Sequence, residues 1–122
     1  MSKSTVLIID NDADTHTILT TSLEHQDCRA FAVENTHKAI AMLKNIYFDL
    51  VLLDNASPST SELDAVKEMK TLQPNLKIIM LSVADEENTR TQAFQVGADA
   101  YLVKPVSTLE MMHIVDKTLA HS

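Results

Sequence analysis

Asp10-Asn11-Asp12, Asp54, Ser82 and Lys104 are the residues of this 122-residue sequence whose types and settings could do chemistry. Each stands directly after a short apolar run: Val6 to Ile9 before Asp10, Leu50 to Leu53 before Asp54, Ile78 to Leu81 before Ser82, and Ala100 to Val103 before Lys104-Pro105. Singly, each has an ordinary reading. An aspartate after a strand is a common helix N-cap, a serine there serves a turn, and a lysine is usually solvated. Together they form a carboxylate cluster with one hydroxyl and one ammonium, which chance capping does not readily supply. Carboxylate oxygens are hard ligands suited to Mg²⁺, which keeps several waters and takes one or two carboxylates plus phosphate oxygens. The chemistry indicated is phosphoryl transfer, where positioning and charge neutralisation do most of the work.

Such a cluster assembles only if the apolar runs are neighbouring strands ending on one edge. Val6-Leu7-Ile8-Ile9 is too short for a helix and apolar on both faces, as in a parallel sheet covered on both sides. The runs at 50–53 and 78–81 repeat the type; 100–103 is weaker, and Arg29 to Ala32 is a fifth, weaker still and near an edge. Between them the period becomes helical: Ile18, Leu19, Ser22 and Leu23; Ala39, Ile40 and Leu43; Leu63, Val66 and Met69 or Lys70. A fourth helix runs from about Glu86 to Gly97, where glycine enters the left-handed region without steric cost. The last opens with Ser107-Thr108-Leu109-Glu110, in which Ser107 caps a free amide and Glu110 reaches back. Leu109, Met112, Val115 (or Asp116) and Leu119 follow at helical spacing. Five alternating β–α units predict one α/β domain, a doubly wound parallel sheet with helices on both faces. In such sheets ligands bind beyond the carboxyl ends of the strands.

Composition narrows the function classes. Ten Lys and Arg against seventeen Asp and Glu leave a formal charge of −7, which disfavours nucleic-acid and anionic-lipid surfaces. The single glycine, Gly97, excludes a glycine-rich phosphate loop. The single cysteine, Cys28, implies no oxidising compartment. No apolar run approaches the ~18 residues of a membrane span, and the N-terminus lacks the apolar stretch of a signal peptide. A cytoplasmic protein is the expectation. His16, His25, His37, His113 and His121 show no metal-ligand spacing and read as surface residues; Met80, Met111 and Met112 read as packing. Asp85-Glu86-Glu87 reads as a helix N-terminus favoured by the dipole.

Ile9-Asp10, Leu53-Asp54 with Pro58 four residues on, Ser82-Val83-Ala84, Gly97-Ala98-Asp99-Ala100-Tyr101 and Leu102-Val103-Lys104-Pro105 together resemble the receiver domain of two-component response regulators. The resemblance runs from Thr5 into the last helix. It implies a flavodoxin-like sheet of order 2-1-3-4-5 and a signalling domain rather than an enzyme. By the same resemblance Asp54 accepts a phosphoryl group from the phosphohistidine of a sensor histidine kinase or phosphotransfer protein. Asp10, Asn11, Asp54 and the main-chain carbonyl of Ala56 match the Mg²⁺ ligands. Lys104 matches the cation that neutralises the phosphoryl oxygens, and Ser82 the hydroxyl that moves to bind them. The Lys104–Pro105 bond is expected to be cis. A carboxylate is ionised at neutral pH, so this nucleophile needs no general base. Phosphorylation adds charge and acceptor oxygens; movement of Ser82 leaves room for Tyr101 to turn inward. The face of the fourth helix, fifth strand and fifth helix then changes, presenting itself to a downstream output domain or protein or to a second copy in a homodimer. The expectation is one receiver domain over residues 1–122, working alone or excised from a longer regulator.

Three departures from the family pattern bear on this. Asn11 stands where a second acid is usual; its amide oxygen still offers a ligand, but a charge is lost and Mg²⁺ binding weakens. Ser57 replaces the usual Met before Pro58. Glu62 replaces a glycine, and a Cβ resists positive φ. Asn11 and Glu62 motivate an alternative, a pseudo-receiver that acts as a phosphorylation-independent interaction module. A more remote one starts from Asp10-Asn11-Asp12, which fits the DxD signature of haloacid-dehalogenase-like phosphatases, with Asp10 as nucleophile and Asp12 as acid.

Overall fold

Four of the apolar runs become the inner strands and the far edge of one sheet. A computed structural model describes residues 4–54 and 60–120. In chain order the elements are β1 (Ser4–Ile9), α1 (Ala13–His25), β2 (Cys28–Val33), α2 (Thr36–Leu43), β3 (Leu50–Asp54), α3 (Thr60–Leu72), β4 (Lys77–Ser82), α4 (Glu87–Val96), β5 (Ala100–Val103) and α5 (Thr108–Ala120). All strand pairs are parallel, in the order β2-β1-β3-β4-β5.

The continuous hydrophobicity of the strands has a direct cause. Leu7, Ile9, Val51, Leu53, Ile78 and Met80 point to one face and pack against Ala39 and Leu43 of α2, Val66 and Met69 of α3 and Ala93 of α4. The alternate residues Val6, Ile8, Leu50, Leu52, Ile79 and Leu81 point to the other, against Leu19 and Leu23 of α1 and Met111, Met112 and Val115 of α5. With both faces covered, the middle of each inner strand is apolar and polar residues stand only at its ends, as Ser4, Thr5, Asp54, Lys77 and Ser82 do. β2 is the weakest run because it is an edge: only Cys28 of its six residues is buried.

Two helical faces differ from expectation. Ile18 is 55% exposed and Leu109 83% exposed. At about 100° per residue, Ile18 is turned well away from the stripe centred on Leu19 and Leu23. Repeated three-residue steps also drift by about 60° each, which carries Leu109 off the stripe formed by Met111, Met112 and Val115. The stop at Gly97 and the cap by Ser107 are seen as read. Gly97 closes α4 at φ 120°, and a Cβ there would meet Lys70 Cγ at 3.0 Å. The Glu110 amide donates to Ser107 Oγ at 3.0 Å.

The amino ends of the strands are tied by side chains. Asp99 Oδ2 accepts from the Ile78 amide and from Lys70 Nζ, at 2.8 and 2.9 Å. Gln73 donates to the Ile46 and Leu43 carbonyls and accepts from the Phe48 amide. These bonds fix the lower end of the sheet, so that the strand termini at the opposite edge are held in register.

Candidate functional site

Register alone brings the carboxylates together. Ile9 pairs with Leu53, so Asp10 emerges beside Asp54, one step further along both strands. Asp54 pairs with Leu81, and Ser82 with Val103, so Lys104 follows on the next strand but one. Lys104 Nζ reaches Asp54 Oδ1 at 2.6 Å, with the Lys104 side chain 37% exposed and that of Asp54 8%. The Lys104–Pro105 bond is cis, as the resemblance implies. A cleft of about 420 Å³ opens above these residues, walled by Asp10, Asn11, Asp12, Asp54 and Lys104.

The two carboxylates are not equivalent. Asp10 is 6% exposed, and burial pushes its carboxyl above the ordinary value of 3.8; the Asp12 amide opposes this, while the charge and hydrogen bond of Asp54 add to it. The Asp12 amide donates to Asp10 Oδ1 at 3.0 Å. A group whose folded pKa lies above its unfolded one binds more protons when folded, so its stabilising contribution is present at low pH and lost as pH rises. At neutral pH an ionised Asp10 therefore strains the fold. Asp10→Asn keeps an acceptor for the Asp12 amide and is expected to raise metal-free stability at pH 7 by about 0.5–2 kcal/mol. Urea melts in a chelator should show the gap closing as pH falls through the raised pKa of Asp10, and closed below the ordinary value of 3.8; equal stability at pH 7 would contradict it.

Ser82 is fully buried and does not line this cleft. Its Oγ accepts from the Ala84 amide at 3.0 Å. Tyr101 is buried, with its hydroxyl donating to the Ala84 carbonyl at 2.7 Å; it already occupies an inward position. Ala56, Ser57 and Pro58 lie outside the described residues. His16 departs from the surface reading: it is half-buried and its ring nitrogen bonds the Asp10 carbonyl oxygen. His25, His37 and His113 are exposed, and His121 lies outside the described residues.

The cleft also has walls that were not singled out as site residues. Glu34, Asn35 and Thr36 line it, directly after β2, and the rule of looking just past each strand would have found them had the edge strand been weighed like the others. Glu62, noted only as a departure, lines it from the first turn of α3. Among the described residues no cluster of three or more His, Cys, Asp or Glu side chains forms a metal position. The Asp10 and Asp54 carboxylates with the Asn11 amide are hard oxygen donors that fit Mg²⁺ in type, and Asp12, Glu34 and Glu62 add carboxylates to the same cleft.

The family model described as "Response regulator receiver domain" matches residues 6–116. This chain belongs to the response regulator receiver family. Receiver domains are signalling domains. The phosphate regulon transcriptional regulatory protein PhoB of Pseudomonas aeruginosa is 34% identical over 114 residues, spanning 92% of this chain and 50% of PhoB. The transcriptional regulatory protein ResD of Bacillus subtilis is 32% identical over 111 residues, 91% of this chain and 46% of ResD. The chain thus spans half or less of the length of these relatives. Among solved structures, a CheY-like receiver domain protein from Methanospirillum hungatei superposes with a TM-score of 0.89 at 23% identity, covering 98% of this chain and 96% of that one. A Burkholderia pseudomallei response regulator with a phosphorylated aspartic acid, a calcium ion and citrate gives 0.82 at 23% identity, covering 98% and 70%. These likenesses show the receiver fold. Among the described residues, no helix of this receiver is long and apolar enough to cross a membrane.

Proposed function

We propose that this receiver accepts a phosphoryl group on Asp54 from the phosphohistidine of a sensor histidine kinase or phosphotransfer protein in the cytoplasm. The observation that carries the reading is the unlike setting of the pair: Asp54 has an ammonium 2.6 Å from Oδ1, whereas Asp10 is 6% exposed and burial raises its pKa from the ordinary value. Carboxylates in such unlike settings divide their roles, and Asp54, with the Lys104 ammonium beside it, is the one suited to attack. An Asp54 oxygen attacks phosphorus, the P–N bond breaks, and imidazole leaves with the electron pair, giving an acyl phosphate. Lys104 Nζ lies where it neutralises the added phosphoryl charge.

Asp10, Asp54 and the Asn11 amide, with the Ala56 carbonyl, would hold Mg²⁺, which when bound supplies charge neutralisation for the transferring phosphoryl oxygens. The Burkholderia neighbour, with its phosphorylated aspartic acid and calcium ion, supports this reading. A second cleft of about 270 Å³ borders Asp54 and Lys104 and is lined by Ile18, Leu19, Pro105, Val106 and Met111. It offers an apolar rim on which a phosphodonor protein could rest while reaching Asp54. We read residues 1–122 as one receiver domain whose face of α4, β5 and α5 passes the signal to an output domain, an output protein or a second copy.

The test is to mix the protein with Mg²⁺ and acetyl phosphate and read intact mass, and in parallel to follow spectral change with beryllofluoride. Added mass that maps to Asp54 supports the proposal. Silence in both measurements favours the pseudo-receiver, which the missing charge at Asn11 and the Glu62 carboxylate in the cleft would explain. Asn11→Asp is expected to tighten Mg²⁺ about 5- to 30-fold, because a restored charge at a low-dielectric rim is worth roughly 1–2 kcal/mol. An unchanged affinity in an NMR titration would count against Asn11 as a ligand.

A further inference from the structure

Tyr101 is held from two sides. Its hydroxyl donates to the Ala84 carbonyl at 2.7 Å, and the Arg90 guanidinium carbon lies 5.3 Å from the centre of its ring. Arg90 is itself tethered, with Nη2 3.0 Å from Asp85 Oδ1. The tether and the anchor belong to the same segment, since Asp85 follows Ala84 and precedes the start of α4. The Ala84 amide in turn donates to Ser82 Oγ at 3.0 Å. One chain of contacts therefore runs from Arg90 on α4, through the ring on β5, to the loop that poses Ser82.

We propose that Arg90 is a positioning residue: its guanidinium, tethered by Asp85, caps the Tyr101 ring, holds the phenol on the Ala84 carbonyl and thereby sets the pose of Ser82. A cation over an aromatic face is attracted by the ring quadrupole, and the tether spends the arginine's rotamer freedom before the ring arrives. Buried though Tyr101 is at 5% exposure, its hydroxyl bond fixes only the tip; Arg90 fixes the plane. The inward position of Tyr101 thus has a determinant outside the Asp54 site. The consequence for Ser82 rests on the phosphoacceptor reading above; the hold on Tyr101 does not.

The chain has two tyrosines and no tryptophan, and Tyr47 is exposed, so Tyr47→Phe leaves Tyr101 as the one strong fluorophore. In that background, Arg90→Gln keeps an unbranched polar side chain with N–H donors but is shorter and removes the cation. It is expected to raise the ratio of outward to inward Tyr101 about two- to five-fold, read as greater acrylamide quenching of tyrosine emission. Arg90→Lys, which keeps a cation without the planar fork, is expected to fall between parent and Arg90→Gln. Raising salt to about 1 M should loosen the parent more than Arg90→Gln, because the tether is exposed and screened. Labelling of Asp54 by acetyl phosphate should slow in Arg90→Gln by a similar two- to five-fold factor. Quenching that is the same in parent and Arg90→Gln overturns the proposal. Released Tyr101 with an unaltered labelling rate overturns its extension to Ser82. If the parent is not labelled at all, the phosphoacceptor reading fails, and quenching still decides the role of Arg90.

Discussion

Asp54→Asn is expected to reduce labelling by acetyl phosphate and Mg²⁺ to background, a loss of more than about a hundredfold. The amide keeps the shape of the side chain and an oxygen for the Lys104 ammonium, now at 2.6 Å from Asp54 Oδ1, so the fold should be retained. What it loses is the anionic oxygen that attacks phosphorus. The neighbouring carboxylate is a poor substitute, because Asp10 is buried at 6% exposure and the Lys104 ammonium lies against Asp54 instead. Intact-mass measurement with the variant checks the expectation, and peptide mapping locates any residual label. Undiminished labelling would remove Asp54 from its role; label found on Asp10 would instead favour the phosphatase-like reading of Asp10-Asn11-Asp12. Steady turnover of p-nitrophenyl phosphate that survives Asp54→Asn would point the same way.

Lys104→Ala is expected to lower the initial labelling rate on the order of 10²-fold, the usual cost of removing one preorganised partner of developing charge. The nucleophile remains, so labelling should be slow rather than absent, and this separates the variant from Asp54→Asn. Stability should fall by about 1–2 kcal/mol: a charge-assisted bond to a side chain only 8% exposed is lost, but its ammonium is partly solvated and the pair is discounted accordingly. Mg²⁺ should bind more tightly to the variant, since the ammonium no longer competes for Asp54 or repels a dication across the cleft. Acetyl phosphate kinetics, urea melts and a Mg²⁺ titration check the three effects. A parental labelling rate in the variant would mean that Lys104 does not face the phosphoryl group.

Much of this was legible before folding was considered. Continuous branched runs at 6–9, 50–53 and 78–81 could only be strands covered on both faces, and the residue after each run was therefore bound for the same sheet edge. Gly97 and Ser107 marked helix boundaries through backbone chemistry that acts locally. The edge strand β2 was hard to read because a strand with one open side carries no continuous apolar signal, and the cleft walls at Glu34 to Thr36 were missed with it. Ile18 was misplaced because adjacent helical residues stand about 100° apart, and Leu109 because three-residue spacing does not repeat a helical turn.

Sequence by itself determined which residues end the strands, because hydrophobic burial on two faces leaves no other pattern for the chain to write. It could not say how those ends meet. The sheet order and register set Asp10 beside Asp54 and Lys104 within 2.6 Å of it, while the burial of Asp10 raises its carboxyl pKa. Nor could it show that Glu62 faces the same cleft, that His16 reaches the Asp10 carbonyl, or that Arg90 lies over Tyr101. Each of these joins residues from different elements or through the backbone, and such contacts are set by packing across the whole fold, which no local pattern encodes.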